Sequence, residues 1–187
     1  MAETRSRNVC VFAGSRPGVS PGFRLAARGL VEEVARRGLG LVFGGGNVGL
    51  MNEVAERGLA LGVPVVGVIP ENLVRREAAH RGLTELLVVS DMLERKALMA
   101  KRSDVFVAIP GGIGTYDEIF EMLTWRQLRV HAKPCGVLNV EGYFQPLLDL
   151  VQNAVRCGFL AAEQAKLLHV ETEPSCLLGR LFADLAD

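Results

Sequence analysis

Apolar runs alternating with amphipathic stretches along the whole chain constrain its fold more than any other feature. Residues 8–13, 39–43, 64–69, 85–89, 104–109, 135–140 and a short 167–170 are apolar nearly throughout. Between them, 22–37, 48–61, 92–102, 115–129, 143–157, 161–166 and 174–186 carry apolar residues at helical spacing. A strand that is apolar on both faces needs a covering layer on both faces. Such strands separated by helices predict a mostly parallel sheet of about seven strands, wrapped by helices in a doubly wound α/β arrangement. With 187 residues, 49% of them hydrophobic, and no repeat or linker, the chain is expected to form one domain over 1–187.

In Rossmann-like folds of this kind, ligands bind beyond the carboxyl ends of the strands. Those ends here are glycine-rich: Ala13-Gly14-Ser15-Arg16-Pro17-Gly18 after the first strand and Gly44-Gly45-Gly46-Asn47-Val48-Gly49 after the second. The fifth strand runs into Pro110-Gly111-Gly112-Ile113-Gly114-Thr115-Tyr116-Asp117-Glu118, which opens a helix. A glycine loop at a helix start turns backbone N–H groups toward an anion, and the helix dipole adds to the attraction. A carboxylate one turn later, Glu118, would stand about a sugar's width from a bound phosphate. The pattern fits a nucleotide 5′-monophosphate site. Thr115-x-x-Glu118 also reads as a capping box, a role that Thr115 could combine with facing a ligand. Asp91-x-x-Glu94 is a second capping box, and it sets Arg95 and Lys96 near a helix start, against the dipole. An arginine so placed is expected to answer an anion or a carboxylate such as Glu118.

Charge and composition narrow the partners. Lys+Arg and Asp+Glu balance at 21 each, which gives no field for nucleic acid or an anionic membrane. No apolar stretch approaches a membrane span, and residues 1–7 precede no signal-peptide core. Cys10, Cys135, Cys157 and Cys176 form no C-x-x-C pair and read as reduced thiols of a cytoplasmic protein. His80, His131 and His169 are scattered, so no metal site and no cofactor is expected. Gly44-x-Gly46-x-x-Gly49 matches the dinucleotide fingerprint literally, with Glu71 downstream, but it follows the second strand rather than the first. A turn or a nucleotide-edge role suits it better.

The segments Asp91-Met92-Leu93-Glu94-Arg95-Lys96 and Pro110 to Glu118 together resemble the LOG ("lonely guy") family of cytokinin riboside 5′-monophosphate phosphoribohydrolases, long mislabelled as lysine decarboxylases. The resemblance takes in Gly44 to Met51, Thr124-Trp125, Gln127-Leu128, Lys133-Pro134 and Leu138 to Tyr143, and so most of residues 8–150. It implies Arg95 and Glu118 as the catalytic pair. It also implies substrate contacts at Glu77, Lys96, Gly112, Gly114, Thr115 and Thr124. Beside these, Gly111 in the same loop and Ser15 and Gly45 on the neighbouring strand ends are expected at the substrate by position, and Met92, by type a core or pocket-wall residue, could pack on the adenine. The chain departs from the family pattern at Leu93, where His is common, at Asp117, where Glu is usual, and at Arg16, where a second Ser follows Ser15. The implied activity is hydrolysis of the N-glycosidic bond of N6-substituted adenosine 5′-monophosphates, with a small-molecule nucleotide as partner and a homodimer as the assembly.

In that chemistry the ribose gains positive charge in an oxocarbenium-like transition state. Glu118 would stabilise the charge or orient water, with Arg95 fixing Glu118 and the ribose or phosphate. Glu121, one turn on, reads as a helix carboxylate paired with Arg126 or another base. Competing readings are a non-catalytic nucleotide or molybdenum-cofactor carrier of similar fold, a pyridoxal-dependent lysine decarboxylase using one of Lys96, Lys101, Lys133 or Lys166, and a nicotinamide-dependent oxidoreductase.

Overall fold

The computed structural model describes residues 7–75 and 78–185. Seven strands form one sheet in the order β4-β3-β2-β1-β5-β6-β7, and all six pairings are parallel. The strands are β1 (Asn8–Phe12), β2 (Gly40–Phe43), β3 (Val65–Pro70), β4 (Glu85–Val89), β5 (Val105–Ala108), β6 (Cys135–Leu138) and β7 (Leu168–Glu171). The helices are α1 (Pro21–Arg36), α2 (Gly49–Ala60), α3 (Met92–Arg102), α4 (Ile113–Gln127), α5 (Gln145–Arg156), α6 (Ala162–Ala165) and α7 (Pro174–Asp184). The expected doubly wound α/β domain is what forms, with a wholly parallel sheet.

Alternate side chains of each central strand enter different cores. Val9 and Val11 of β1, Leu41 and Phe43 of β2, and Val105 and Val107 of β5 pack with Leu30, Val31, Leu50 and Leu177 under α1, α2 and α7. Cys10, Phe12, Val42 and Phe106 pack on the opposite face with Met99, Ile119, Met122 and Phe144 from α3, α4 and the start of α5. Both sets are almost wholly removed from water, which is why the strands read as continuous apolar runs.

The chain builds one half of the sheet outward from β1 to β4, returns through α3, and starts the other half with β5 beside β1. That reversal opens a crevice beyond the carboxyl ends of β1 and β5. The loops meet there with little room to spare. Gly14 N–H donates to Pro110 O at 3.1 Å, and Leu50 N–H donates to Gly14 O at 2.9 Å. A Cβ on Gly14 would lie 2.9 Å from Gly111 Cα, and one on Gly49, whose φ is +56°, would lie 2.4 Å from the Ser15 carbonyl carbon. Only glycine fits these two positions.

The loop expected over residues 70–82 begins with a single 3₁₀ turn, Glu71–Leu73, and is tied to the end of β2. Asn47 N–H donates to Ala78 O, and His80 N–H to Gly45 O. His80 is buried; its Nδ1 accepts from Gly82 N–H, so Nε2 carries the proton and donates to Glu56 at 2.7 Å. Its role is to hold this loop. Among the described residues no helix is long and apolar enough to cross a membrane.

Candidate active site

α4 begins three residues earlier than the capping-box reading requires. Its N-cap is Gly112, with no side-chain cap, and Thr115 is the third helical residue. The Thr115-x-x-Glu118 box therefore does not form. Starting a helix on Gly-Ile-Gly leaves the early amides of residues 112–115 outside the intrahelical ladder, which here starts with Tyr116 N–H to Gly112 O. Cβ atoms added at Gly112 and Gly114 would meet nothing within 4 Å, so the space beside these amides is open. Thr115 is buried, and its Oγ1 would lie 2.1 Å from a Cβ on Gly111, so residue 111 must be glycine for the loop to close on it.

A cleft of about 230 Å³ lies at this helix start, and among its walls are Ser15, Met92, Arg95, Gly112, Thr115 and Glu118. Arg95 and Glu118 are both buried, 5% and 9% exposed, although they are the residue types that most resist burial. Arg95 comes from the first turn of α3 and reaches back under the end of β2. Its Nη2 donates to Gly44 O at 2.9 Å, and Nη1 lies 3.6 Å from the Met92 sulfur. A Cβ on Gly44 would stand 2.0 Å from that Nη2. Glu118, one turn into α4, faces inward over β1. Burial pushes the Cys10 thiol pKa up, and the neighbouring Glu118 charge pushes it further.

The second capping box forms with a variation. Asp91 Oδ1 accepts from Glu94 N–H at 2.8 Å, while the Glu94 carboxylate takes the Ser90 N–H and hydroxyl, which holds its pKa below the usual range.

A second cavity, of about 390 Å³, lies on the other side of the glycine loop between Arg16, Phe23, Leu50 and Tyr143; Ser15 and Gly112 line both spaces. Tyr143 arrives from the β6–α5 connection. Its hydroxyl donates to Gly111 O, and Tyr116 OH lies 2.6 Å from it. Burial and Tyr116 push the Tyr143 pKa up to about 12.

Of the expected site residues, Ser15, Met92, Arg95, Gly112, Gly114, Thr115 and Glu118 share the 230 Å³ cleft, and Gly111 lines the adjoining cavity. Gly45, with φ +74°, supports the cleft through backbone: its carbonyl holds the 78–80 segment. Glu77 lies outside the described residues. Lys96 is not in the cleft wall; it pairs with Asp117 at 3.2 Å and Glu121 at 2.8 Å. Glu121 thus pairs with Lys96 rather than Arg126, which is taken by Asp184. Thr124 is exposed, bonded to Phe120 O of the preceding turn, and lines neither space. Of the departures, Asp117 lines the cleft, Arg16 lines the adjoining cavity and Leu93 is an exposed helix residue. Tyr116 and Tyr143 had no assigned role in the sequence. Tyr143 stands in the Leu138–Tyr143 segment, but its purpose depends on β6 lying beside β5.

Comparison with known proteins places the chain in a family. A family model described as "possible lysine decarboxylase" matches residues 51–181. A probable cytokinin riboside 5′-monophosphate phosphoribohydrolase of Oryza sativa subsp. japonica is 43% identical over 178 residues, 95% of this chain and 72% of that protein. A cytokinin riboside 5′-monophosphate phosphoribohydrolase of Arabidopsis thaliana is 44% identical over 170 residues, 90% of this chain and 78% of that protein. Among solved structures, the molybdenum cofactor carrier protein of Chlamydomonas reinhardtii superposes with a TM-score of 0.73 at 20% identity, covering 98% of this chain and 100% of that one. The molybdenum cofactor binding protein of Rippkaea orientalis gives 0.71 at 20%, covering 97% and 98%. At such identities the likeness is one of fold. The sequence relatives carry the closer kinship: the chain belongs to the LOG family of cytokinin riboside 5′-monophosphate phosphoribohydrolases.

Proposed function

We propose that the chain hydrolyses the N-glycosidic bond of adenosine 5′-monophosphates, N6-substituted or plain, releasing the free base and ribose 5-phosphate. The observation that carries this reading is the uncapped start of α4 opening into the same cleft as a buried arginine and a buried glutamate. The 5′-phosphate rests on the early amides of α4, which places the ribose toward Glu118. As the C1′–N9 bond breaks, its electron pair leaves with the base and positive charge grows on the sugar. The Glu118 carboxylate faces that charge and orients the water that replaces the base at C1′. Arg95, fixed on Gly44 O, holds its cation beside the substrate's oxygens. In so dry a place, preorganised charge is worth far more than in water. Met92 and Met51, with Leu73, supply apolar wall for the base. No lysine lines the cleft or the adjoining cavity among the described residues, which argues against a Schiff-base decarboxylase.

The reading extends to a cytoplasmic homodimer. α5 is amphipathic yet has no buried residue, and Leu150 and Phe159 stand exposed around an apolar hollow of about 430 Å³ that also involves Phe120 and Leu160. A second copy of the chain is the occupant proposed for that face.

The test is base release from isopentenyladenosine 5′-monophosphate and AMP, with the unphosphorylated riboside as control. Glu118→Gln should lower turnover by at least about 10²-fold while AMP still binds. Turnover retained by the variant would sink the assignment.

A further inference from the structure

The glycine loop offers amides only if its peptides face the right way, and glycine itself does not enforce this. A Gly-Gly peptide has the freest backbone in the chain, so something outside the loop must fix the orientation of the Gly111–Gly112 unit. We propose that Tyr143 is a positioning residue that aims the Gly112 amide into the catalytic cleft, with Tyr116 as its support. This rests on the reading of the 112–115 amides as the phosphate site.

The argument is geometric. There are no cis peptides among the described residues, and in a trans peptide the C=O and the following N–H point in opposite directions. The Tyr143 hydroxyl donates to Gly111 O. Tyr143 and Gly111 both line the 390 Å³ cavity, so the carbonyl is held on that side. The Gly112 N–H then points the other way, toward the space that Gly112 shares with Arg95 and Glu118. A flipped peptide would present a carbonyl oxygen to the phosphate and repel it.

Tyr143 is itself well braced. Its one proton goes to Gly111, so Tyr116 is the donor across the 2.6 Å contact between the two hydroxyls. The three groups form a chain polarised toward the loop. Asn139 Oδ1 accepts from Phe144 N–H at 2.8 Å, and the Phe23 ring meets Tyr143 edge-on at 5.7 Å. Glu141 takes a left-handed φ of 52°, and its carboxylate accepts from Ser20 Oγ at 2.8 Å. The β6–α5 connection is thus anchored to the start of α1 on one side and to the phosphate loop on the other. With its pKa pushed up to about 12, the donor keeps its proton throughout the neutral range.

Tyr143→Phe keeps the ring and removes only the hydroxyl. The expected result is a rise of about 10-fold in KM for AMP and a similar weakening of inhibition by ribose 5-phosphate, with kcat within about 3-fold of the parent. Tyr116→Phe should move the same two quantities in the same direction by about 3-fold. A general loosening of the site would instead displace Glu118 and Arg95 and lower kcat. The proposal is overturned if Tyr143→Phe leaves KM and ribose 5-phosphate inhibition unchanged, or if kcat falls at least as far as KM rises. Should Tyr143→Phe not fold, an unchanged Tyr116→Phe overturns it equally. A parent protein that releases base and is inhibited by ribose 5-phosphate, beside unaffected variants, defeats this inference alone. A parent that does neither defeats the phosphate-site reading as well.

Discussion

Replacing Gly44 by alanine perturbs Arg95, the arginine of the proposed catalytic pair, without touching any charge. The added Cβ would stand 2.0 Å from Arg95 Nη2 and 3.4 Å from the Met51 sulfur. Ordinary contact between such atoms is about 3.5 Å, so the guanidinium must retreat by about 1.5 Å and lose its bond to Gly44 O. The atom in the way is the tip of a flexible side chain, so the fold can accommodate the change. Losing one charged hydrogen bond costs about 1.5–3 kcal/mol, and the stiffer unfolded chain of alanine offsets about 0.4–1 kcal/mol of that. A net destabilisation of about 1–2 kcal/mol follows. Activity should suffer more in proportion, because a misplacement of about 1 Å in a catalytic group costs about 10²-fold. The assay pairs kcat/KM for base release from isopentenyladenosine 5′-monophosphate with urea unfolding of the same preparations. Near-parental kcat/KM in Gly44→Ala would refute the placement of Arg95 as a catalytic requirement. Loss of activity together with several kcal/mol of stability would show that the glycine serves the fold instead.

Two further outcomes concern stability and assembly. Burial, then the charges of Lys133 and Arg126, hold the His131 pKa down at about 4, below the ordinary 6.5. The unfolded chain therefore takes up a proton that the folded one refuses. This contribution to stability is full above about pH 6.5 and is lost as pH falls toward 4. Discounted for a half-buried ring, it amounts to about 1–2 kcal/mol; His131→Gln should flatten the urea-unfolding free energy between pH 6.5 and 4, and parallel profiles would contradict this. Leu150→Asp on the uncovered face of α5, or Phe159→Asp just beyond its end, should shift the protein toward monomer in sedimentation. An unchanged mass would place the contact between copies elsewhere.

Sequence reasoning succeeded where the determining interactions are local. All seven strands and all seven helices stand within about two residues of their expected places, because covered parallel strands are apolar on both faces and leave an unmistakable record. The Arg95–Glu118 cleft was foreseeable because glycine loops and helix starts carry their chemistry in the backbone. What the sequence left unread involves partners distant along the chain. Thr115 looked like a cap until Gly112 took that position, since the helix start depends on how the loop closes against Gly14. The pairing of Lys96 is of this kind, since α4 brings Asp117 and Glu121 within its reach. Nothing in the composition near Tyr143 announces that its hydroxyl ends on a carbonyl 32 residues earlier.

The order of the strands gives the cleft an unusual ownership. Gly44 and Arg95 belong to the stretch of chain that makes β1 to β4, whereas Gly112, Thr115 and Glu118 belong to the stretch that makes β5 to β7. Within the sheet the two stretches meet along one ladder, β1 against β5. On the proposed site, neither fragment expressed by itself would hold the full set of groups; activity is expected only when both are present and zipped together. A nucleotide bound there as proposed would touch both sides at once and act as a rivet, adding its binding free energy to the cohesion of the molecule.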